Sequence, residues 1–389
     1  KFAGYYTPAV VFSALALALI PPLVTGGAFS DWIYRALVFL VISCPCALVI
    51  SIPLGFFGGI GGASKRGIMV KGSNYLEALN QVETVVFDKT GTLTQGIFKV
   101  RGINPRNSFS EAQLIEYAAY AEGYSNHPIA LSITEAYGGQ IDKGRIGNYE
   151  EIAGKGIRAV IDGQVILAGN SRLMQAEKIV YSEVDTVGTI IHVAVEGTYA
   201  GYIVIADEIK ADAARAIKEL KALGIKKTVM LTGDAKSFSA RIGQQLGVDE
   251  VYAELLPAGK VEKLEMLDSQ KSRKGKIIFV GDGINDAPVL ARADIGMAMG
   301  GLGSDAAIEA ADVVIMNDEP SSIPTAIKVA RRTRGIVIQN IIFALGVKGV
   351  FLLLGAVGIA TMWEAVFADV GVALIAILNA IRVINTKNT

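Results

Sequence analysis

A short apolar run followed by an acidic, threonine-rich loop occupies residues 84–94 and reads Thr84-Val85-Val86-Phe87-Asp88-Lys89-Thr90-Gly91-Thr92-Leu93-Thr94. The β-branched run predicts a buried strand that ends at Asp88. A carboxylate at a strand end can attack a phosphorus atom, and the N–H groups and hydroxyls of the following loop can hold the transferring oxygens. The stretch therefore indicates phosphoryl transfer on a strand-based fold.

Similar apolar runs downstream predict three more strands, at residues 227–231, 276–280 and 312–315. Helical patterns lie among the later runs, for example at residues 211–223 and 237–246. Buried apolar strands that alternate with helices are typical of a parallel, doubly wound α/β sheet. Ligands bind such sheets at the carboxyl ends of the strands.

Polar side chains follow these runs and supply what phosphoryl transfer needs. A hydroxyl and an N–H after the second run can bind phosphate oxygens, and a downstream lysine can balance the developing charge. The carboxylate and amide oxygens after the third run are the ligands that Mg²⁺ prefers. The candidate residues are Asp88, Lys89, Thr90, Thr232, Gly233, Asp234, Lys260, Asp282, Asn285 and Asp286.

The stretch from about residue 97 to residue 206 has a different pattern, with one helical segment and several short alternating segments. Two hairpin dipeptides, Asp162-Gly163 and Glu196-Gly197, join some of these segments. We expect a small α+β domain that is inserted into the sheet domain after its first strand. The helical pattern covers residues 110–122, and the alternating segments include 156–161, 165–168 and 190–194.

The composition indicates a membrane protein and excludes a nucleic-acid binder. The 389 residues include 37 basic and 37 acidic side chains, so the basic excess that phosphate backbones require is missing. Charged residues make up 19%, against about 25% in ordinary soluble domains, and the mean hydropathy is +0.43. Part of the chain is therefore expected to have the lipid bilayer as its partner.

Four apolar stretches reach the roughly 20 residues that a helix needs to cross a bilayer. They occupy residues 8–24, 32–60, 336–360 and 363–384. All basic clusters beside them fall on one side, which the positive-inside rule assigns to the cytoplasm. We expect a multi-pass protein of the cell or inner membrane, with two helical hairpins and a large cytoplasmic insertion.

The second apolar stretch contains Cys44, Pro45 and Cys46. Pro45 has no N–H and clashes with the preceding turn, so the helix must kink or unwind there, and transporters use such breaks as ion sites. Two reduced thiols are soft ligands that suit Cu⁺, Zn²⁺, Cd²⁺ or Pb²⁺. The alternative is a proline kink with two small apolar cysteines.

Two isolated charges, Lys348 and Asp369, lie in the third and fourth apolar stretches. Intramembrane charges are costly unless paired and are functional candidates, although a purely structural pair is the alternative. With the two sulfurs, Asp369 would make a mixed site that suits a borderline divalent ion better than Cu⁺. We hypothesise that Lys348 is a built-in counter-ion that pairs with Asp369 once the metal has left.

The stretch Gly281-Asp282-Gly283-Ile284-Asn285-Asp286-Ala287-Pro288 resembles the hinge motif of P-type ATPases, and the loop at Asp88 is similar to their haloacid-dehalogenase-like phosphorylation domain. The resemblance implies that Asp88 is the phosphorylated residue and that ATP and Mg²⁺ are used. It also implies that Mg²⁺ is bound by Asp88, Asp282 and the carbonyl of Thr90, and that the phosphate contacts Thr232, Gly233 and Lys260.

The inserted domain resembles the nucleotide domain of heavy-metal P-type ATPases. Taken singly, a His-Pro pair or a Gly-x-Gly is more often a loop end or a turn, and His192 in an alternating segment is interpreted as structural. The resemblance implies that the ATP site is lined by Glu122, His127, Gly154, Gly156 and Asn170.

The membrane motifs separate two branches of this family. Copper pumps carry Tyr-Asn and Met-x-x-Ser-Ser, but the corresponding positions here hold Val347-Lys348, and Asp369 followed by Val372-Ala373. Lys348 together with Asp369-Val370-Gly371 resembles the zinc-, cadmium- and lead-exporting branch. The resemblance implies ATP-driven export of Zn²⁺, and also Cd²⁺ and Pb²⁺, from the cytosol through a phosphoaspartate.

The family also has an actuator domain with Thr-Gly-Glu, which does not occur in this sequence. We therefore expect an N-terminally truncated chain whose partners are the actuator domain and the N-terminal membrane helices of the same protein. A Cu⁺ exporter, a soluble haloacid-dehalogenase-like phosphatase and a non-catalytic membrane metal-binding protein are the alternatives. The expected domains are a helix pair with the Cys-Pro-Cys break and stalk (1–80), the phosphorylation domain (81–97 and 206–330), the nucleotide-binding domain (98–205) and a second helix pair (331–389).

Overall fold

The computed structural model describes residues 2–384, apart from 126, 183, 185, 187, 284, 285 and 302–304. The candidate site residue Asn285 thus lies outside the described residues. The chain forms two compact units. The first comprises Lys1–Val82, Asp312–Met316 and Ser322–Thr389, and the second comprises Glu83–Ala311 and Asn317–Ser321.

The described chain contains the following helices and strands. The helices are α1 (Phe2–Thr25), α2 (Phe29–Ile42), α3 (Cys46–Ser64), α4 (Ser73–Ala78), α5 (Glu111–Ala121), α6 (Pro128–Tyr137), α7 (Ser171–Ala176), α8 (Ala213–Ala222), α9 (Lys236–Leu246), α10 (Pro257–Gln270), α11 (Ala287–Arg292), α12 (Asp305–Ala310), α13 (Ser322–Val357), α14 (Met362–Val366) and α15 (Val372–Ile381). The strands are β1 (Ile68–Val70), β2 (Val82–Asp88), β3 (Thr94–Pro105), β4 (Ile146–Ile152), β5 (Gly156–Ile161), β6 (Gln164–Gly169), β7 (Thr189–Val195), β8 (Thr198–Ile209), β9 (Lys227–Leu231), β10 (Glu250–Tyr252), β11 (Lys276–Gly281), β12 (Ile295–Met299) and β13 (Val313–Ile315).

Among the described residues of the first unit, four helical segments are long and apolar enough to cross a membrane. They are Tyr5–Thr25, Phe29–Ser64, Ser322–Val357 and Met362–Ile381. The four predicted membrane stretches are therefore confirmed. The same unit holds a small antiparallel pairing of β1 with β13.

The second membrane segment is broken at the position that the proline predicts. Helix α2 ends at Ile42, α3 begins at Cys46, and Pro45 has a non-helical ψ of 32°. Helix α15 is joined to α14 by a π-helical turn, Phe367–Gly371, which contains Asp369. Both irregular segments lie inside membrane-spanning lengths, where backbone that leaves the α-helical pattern needs another partner.

The second unit contains the predicted parallel sheet, with strands in the order β12-β11-β2-β9-β10. The pairs β11–β12, β2–β9 and β9–β10 are parallel. Apolar side chains such as Val86, Val229 and Phe279 form its core with residues of the flanking helices. The parallel α/β prediction is confirmed, whereas the short strands β10 and β12 were not predicted.

A six-stranded antiparallel sheet in the order β3-β8-β7-β6-β5-β4 is inserted after β2. Its predicted hairpins are present, because both Asp162-Gly163 and Glu196-Gly197 have positive φ angles, as a two-residue type I′ turn requires. Strands β3 and β8, which were not predicted, pair along most of their length and form the ribbon by which the chain enters and leaves the insertion.

Glycines of α3 allow close packing within the first unit. A Cβ added to Gly59 would lie 2.5 Å from Oγ1 of Thr333 in α13 and 2.7 Å from Cδ2 of Leu76. A Cβ on Gly61, in the same helix, would meet no heavy atom of the described structure within 4 Å. The absence of a side chain at Gly59 therefore sets how closely α3 approaches α13.

We predict opposite effects for alanine at these two glycines. Gly59→Ala should lower the free energy of unfolding by about 1–3 kcal/mol through overpacking. Gly61→Ala should leave it unchanged or raise it by up to about 1 kcal/mol, because alanine favours the helix. Thermal unfolding in detergent compares the two variants, and equal shifts would contradict the packing argument.

Candidate functional site

The end of the parallel sheet brings three carboxylates and one lysine together. Asp88 is the last residue of β2, and its Oδ1 accepts a hydrogen bond from Nζ of Lys260 at 2.6 Å. The same ammonium donates to Oδ1 of Asp286 at 2.8 Å. Carboxylate oxygens of Asp88, Asp282 and Asp286 all lie within 4.8 Å of one another. The structure thus assembles residues that come from β2, α10 and the loop after β11.

Burial and the proximity of the carboxylates to one another raise the pKa values of Asp88 and Asp282. Burial raises the pKa of Asp88 to about 7, Asp286 adds to that rise, and Lys260 opposes it. Burial and the nearby Asp286 also raise the pKa of Asp282 to about 6. Lys260 contacts Asp88 and Asp286, and the charge of Lys210 lowers the pKa of Asp282, but the three carboxylates still repel one another, so a bound divalent cation would favour their ionised forms.

The loop after Asp88 approaches this cluster so closely that it needs glycine. Gly91 has a φ of +71°, and a Cβ there would lie 1.6 Å from Oδ2 of Asp282. The oxygens around this space are hard donors, as Mg²⁺ requires. The residues present therefore fit a magnesium ion.

The remaining predicted residues of this site form a second group beside the first. Nζ of Lys89 lies 2.6 Å from Oδ2 of Asp234, and the hydroxyl of Thr232 accepts from the Asp234 N–H at 3.1 Å. Thr90 lies in the same loop with Lys89 and, together with Asp234, lines a small cavity. Gly233 separates Thr232 from Asp234 in the loop after β9.

Two buried residues near the loop were missed by sequence reasoning. Asp207 accepts a hydrogen bond from the hydroxyl of Thr94 and lies 3.9 Å from Nζ of Lys89, and burial raises its pKa. Lys210 donates to the carbonyl of Gly91 at 2.9 Å and to Oδ2 of Asp318 at 2.8 Å. Asp207 lies near the end of β8 and Lys210 directly follows that strand, which was not predicted.

The inserted domain contains a cavity of about 340 Å³. All five residues that the resemblance assigned to ATP line it, together with Glu151, Lys155 and apolar side chains such as Ile190. Their role as nucleotide ligands stays a prediction. The five residues are Glu122, His127, Gly154, Gly156 and Asn170.

Two of these residues cap helices, and the cap of His127 leaves its second ring nitrogen for a ligand. Nδ1 of His127 accepts from the N–H of Ile129 at 3.3 Å at the start of α6, so Nε2 carries the proton of the neutral ring. Asn170 caps α7 through Oδ1, and its Nδ2 donates to the carbonyl of Gly154 at 2.9 Å. The caps therefore hold both side chains at the cavity.

Glycine and glutamate shape the cavity in different ways. Gly156 has a φ of +141°, and a Cβ there would lie 2.3 Å from the carbonyl of Ala168, so only glycine fits. Glu122 is buried, which raises its pKa to about 7, and the charge of Glu151 adds to the rise. The cavity wall thus carries a carboxyl group whose pKa is well above that of an exposed glutamate.

His192 does not line this cavity. It is buried, its Nδ1 lies 2.8 Å from the hydroxyl of Tyr199, and its ring meets Tyr181 edge-on at 4.9 Å. Burial lowers its pKa. These contacts agree with its interpretation as a structural histidine.

The break in the membrane segment brings Cys44, Cys46 and Asp369 together, with one ligand atom from each within 4.8 Å of the others. The structure joins the two sulfurs in a disulfide, so the expectation of reduced thiols is corrected here. The break places the two Cα atoms 5.6 Å apart, a separation that a disulfide can bridge. Binding of a metal by both sulfurs therefore requires their reduction.

Lys348 lies at the centre of this membrane cluster. Its buried ammonium donates to Oδ1 of Asp369 at 2.8 Å, to the carbonyl of Ile42 at 3.2 Å and to the carbonyl of Cys44. The two carbonyls belong to the broken segment, where the helix no longer supplies all the backbone partners. The Lys348 side chain thus donates hydrogen bonds both to backbone carbonyls at the helix break and to the carboxylate in the π-helical turn.

Known proteins resemble this chain both in the domain with the parallel sheet and in the membrane segments. A haloacid dehalogenase-like hydrolase family model matches residues 82–294. The "Cadmium, zinc and cobalt-transporting ATPase" of Bacillus subtilis is 64% identical over 389 residues, covering 100% of this chain and 55% of that protein. The "Zinc-transporting ATPase" of Synechocystis sp. is 62% identical, covering 98% of this chain and 53% of that protein.

Solved structures show the same relationship. The crystal structure of a zinc-transporting PIB-type ATPase in the E2.Pi state has a TM-score of 0.86 and 36% identity, covering 98% of this chain and 63% of that one. The chain spans about half the length of the curated relatives it matches. It belongs to the haloacid dehalogenase-like hydrolase family and, over nearly its full length, is a relative of the zinc- and cadmium-transporting ATPases.

Proposed function

We propose that this chain is the catalytic part of an ATP-driven exporter of Zn²⁺, and also of Cd²⁺ and Pb²⁺, that works through a phosphoaspartate. The observation that carries the proposal is the membrane cluster of two sulfurs, the carboxylate of Asp369 and the ammonium of Lys348. A phosphatase has no use for such a cluster. The names of the relatives, which include zinc and cadmium, support the choice of metal.

The chemical step begins with attack by a carboxylate oxygen of Asp88 on the γ-phosphorus of ATP. A new O–P bond forms, the bond from the γ-phosphorus to the bridging oxygen breaks, and ADP leaves with that electron pair. Lys260 already contacts Asp88 and can balance charge that develops on the phosphoryl oxygens. Thr232 and the N–H of Gly233 are the proposed phosphate donors from the neighbouring strand end.

Asp88, Asp282 and the carbonyl of Thr90 are proposed to hold Mg²⁺, with Asp286 beside them. The ion would neutralise negative charge on the phosphate and the attacking carboxylate. Lys260 would keep Asp286 oriented through its 2.8 Å contact while Asp88 reacts.

The cavity of the inserted domain is the proposed ATP site. Gly154 and Gly156 let the backbone approach the nucleotide, and Nε2–H of His127 can donate to it. Protonated Glu122 can donate one hydrogen bond and accept another, which matches the adjacent acceptor nitrogen and amino group of adenine. Asn170 holds the loop at Gly154 in place.

In the membrane, the reduced sulfurs and Asp369 are proposed to bind the transported metal as substrate. Lys348 would act as the built-in counter-ion, because its ammonium can take the carboxylate as the metal leaves. The observed 2.8 Å pair is the arrangement that this exchange needs. The actuator domain and further membrane helices of the same protein are the proposed partners for hydrolysis of the phosphoaspartate.

We predict that the intact protein hydrolyses ATP in response to Zn²⁺, Cd²⁺ and Pb²⁺ and not to Cu⁺. Asp88→Asn should lower the stimulated rate by at least about 100-fold, because the attacking oxygen is lost. Asp305→Asn, which changes an exposed carboxyl in α12, is the matched control. Acid-stable ³²P incorporation from labelled ATP measures the phosphoaspartate directly.

The other outcomes identify the competing functions. Stimulation by Cu⁺ alone would indicate a copper exporter. Metal-independent hydrolysis of small phosphate esters would indicate a phosphatase, and no ³²P incorporation in the unmodified protein would indicate a metal-binding protein without catalysis.

We predict that nucleotide affinity depends on the protonation of Glu122. Because its pKa is raised to about 7, the group is mostly protonated below that pH, and ATP should bind more weakly as pH rises from about 6 to 8. Glu122→Gln should remove this dependence, and Glu151→Gln should move it to lower pH. Isothermal titration with ATP at several pH values measures this dependence. Glu150→Gln, at an exposed position of β4 beside Glu151, is the control. The prediction is wrong if Glu122→Gln and Glu151→Gln both keep the pH dependence of the unmodified protein.

We predict that Lys348→Ala slows the release of metal and changes the charge moved in each cycle. Turnover should fall by about tenfold, because the partly buried carboxylate of Asp369 is left unpaired when the metal departs. Stimulated ATPase activity and electrogenic currents on supported membranes measure the two effects. Val350→Ala, at an exposed position of the same helix, is the control, and the counter-ion role is wrong if Lys348→Ala alters neither quantity.

A further inference from the structure

A pair of asparagines joins α13 to α15 at a distance from the membrane cluster of Cys44, Cys46, Asp369 and Lys348. Asn340 is only 2% exposed, and its Nδ2 donates to the carbonyl of Ala376 at 2.9 Å. Its Oδ1 accepts from Nδ2 of Asn379 at 2.8 Å. We call Asn340 and Asn379 the asparagine clamp.

The asparagine clamp continues toward the end of the helix through arginines. Nη1 of Arg382 donates to Oδ1 of Asn379 at 2.8 Å. Nη2 of Arg332, on α13, donates to the carbonyl of Arg382 at 3.3 Å. A continuous series of hydrogen bonds therefore links the two helices from Ala376 to the arginines.

Such a network is satisfied in only one register of the two helices. A buried amide without partners costs free energy, and within a membrane no water can replace the lost bonds. Sliding α15 by one turn would remove the carbonyl of Ala376 from Asn340 and part the two amides. Single buried polar residues specify helix register in this way in other helical assemblies.

The asparagine clamp and the ion pair lie on the same two antiparallel helical segments. Asn340 precedes Lys348 by about two helical turns, and Ala376 follows Asp369 by about two turns, so the two contacts are about 11 Å apart along the helices. Asp369 itself lies in the π-helical turn Phe367–Gly371, a less regular turn of the kind found at functional sites. The register that the asparagine clamp sets is therefore the register in which Lys348 meets Asp369.

We propose that Asn340 and Asn379 are positioning residues that hold Asp369 opposite Lys348 and so set the affinity for the transported metal. The inference rests on the proposed function for its metal readout. It assigns the two asparagines no contact with the metal. Their effect on the site passes through the helix register alone.

The test uses the intact protein with Asn340→Leu, Asn379→Leu and the neighbouring control Gln339→Leu, which changes an exposed amide of α13. Asn340→Leu should raise the Zn²⁺ concentration for half-maximal ATPase activity by at least about tenfold, with kcat within about twofold of the unmodified protein. Asn379→Leu leaves the bond from Asn340 to Ala376 in place and should act in the same direction more weakly. If Asn340→Leu does not fold, Asn379→Leu still tests the proposal.

A second readout needs no metal. Thermal unfolding is compared in chelator for Asn340→Leu, Asp369→Asn and the double variant. The two sites are about 11 Å apart, and sites at that distance normally have additive effects. If Asn340 positions the ion pair, the double variant should lose less stability than the two single variants lose together. The reason is that the ion pair is already weakened when the asparagine clamp is absent.

Additive stabilities together with an unchanged metal dependence would overturn the proposal, and so would a fall in kcat with no change in the half-maximal concentration. If the unmodified protein shows no metal stimulation at all, the proposed function fails instead. The unfolding experiment then still decides whether the asparagine clamp acts on the ion pair.

Discussion

An ammonium group buried against a carboxylate occurs at both chemical centres of this chain. Lys260 holds Asp88 and Asp286 at the end of the parallel sheet, and Lys348 holds Asp369 in the membrane segment. A buried charge is costly without a partner, so each carboxylate can change partners only when another cation replaces the lysine. In the proposed function that cation is Mg²⁺ at one centre and the transported metal at the other.

Irregular backbone accompanies each centre. Gly91 has a positive φ and lies so close to Asp282 that a side chain would collide with it, so the loop needs glycine there. Pro45 interrupts a helix whose freed carbonyls bond to Lys348. Regular helix and strand use all of their backbone groups internally. Only where the regular pattern stops can backbone and side chains turn toward a ligand, which is why both centres lie at such points.

The cavity of the inserted domain shows how folding prepares a site before any ligand binds. His127 and Asn170 both cap helices at the cavity; the cap of His127 leaves Nε2 for a ligand, and Nδ2 of Asn170 holds the carbonyl of Gly154. The resemblance named both residues, but it could not say that their side chains are held in place by the helices they begin. The same bonds that start α6 and α7 thus remove side-chain freedom that binding would otherwise have to restrict.

The apolar lengths, the strand ends at Asp88 and after β9 and β11, and the helix break at Pro45 follow from the sequence alone, because each depends on neighbouring residues. The tertiary structure decided the rest. It paired β3 with β8, placed Asp207 beside Lys89, joined the cysteines that were expected to be free, and set Asn340 against Asn379. These contacts join residues far apart in the chain or depend on side-chain direction, and a local pattern carries no information about which partner is reached.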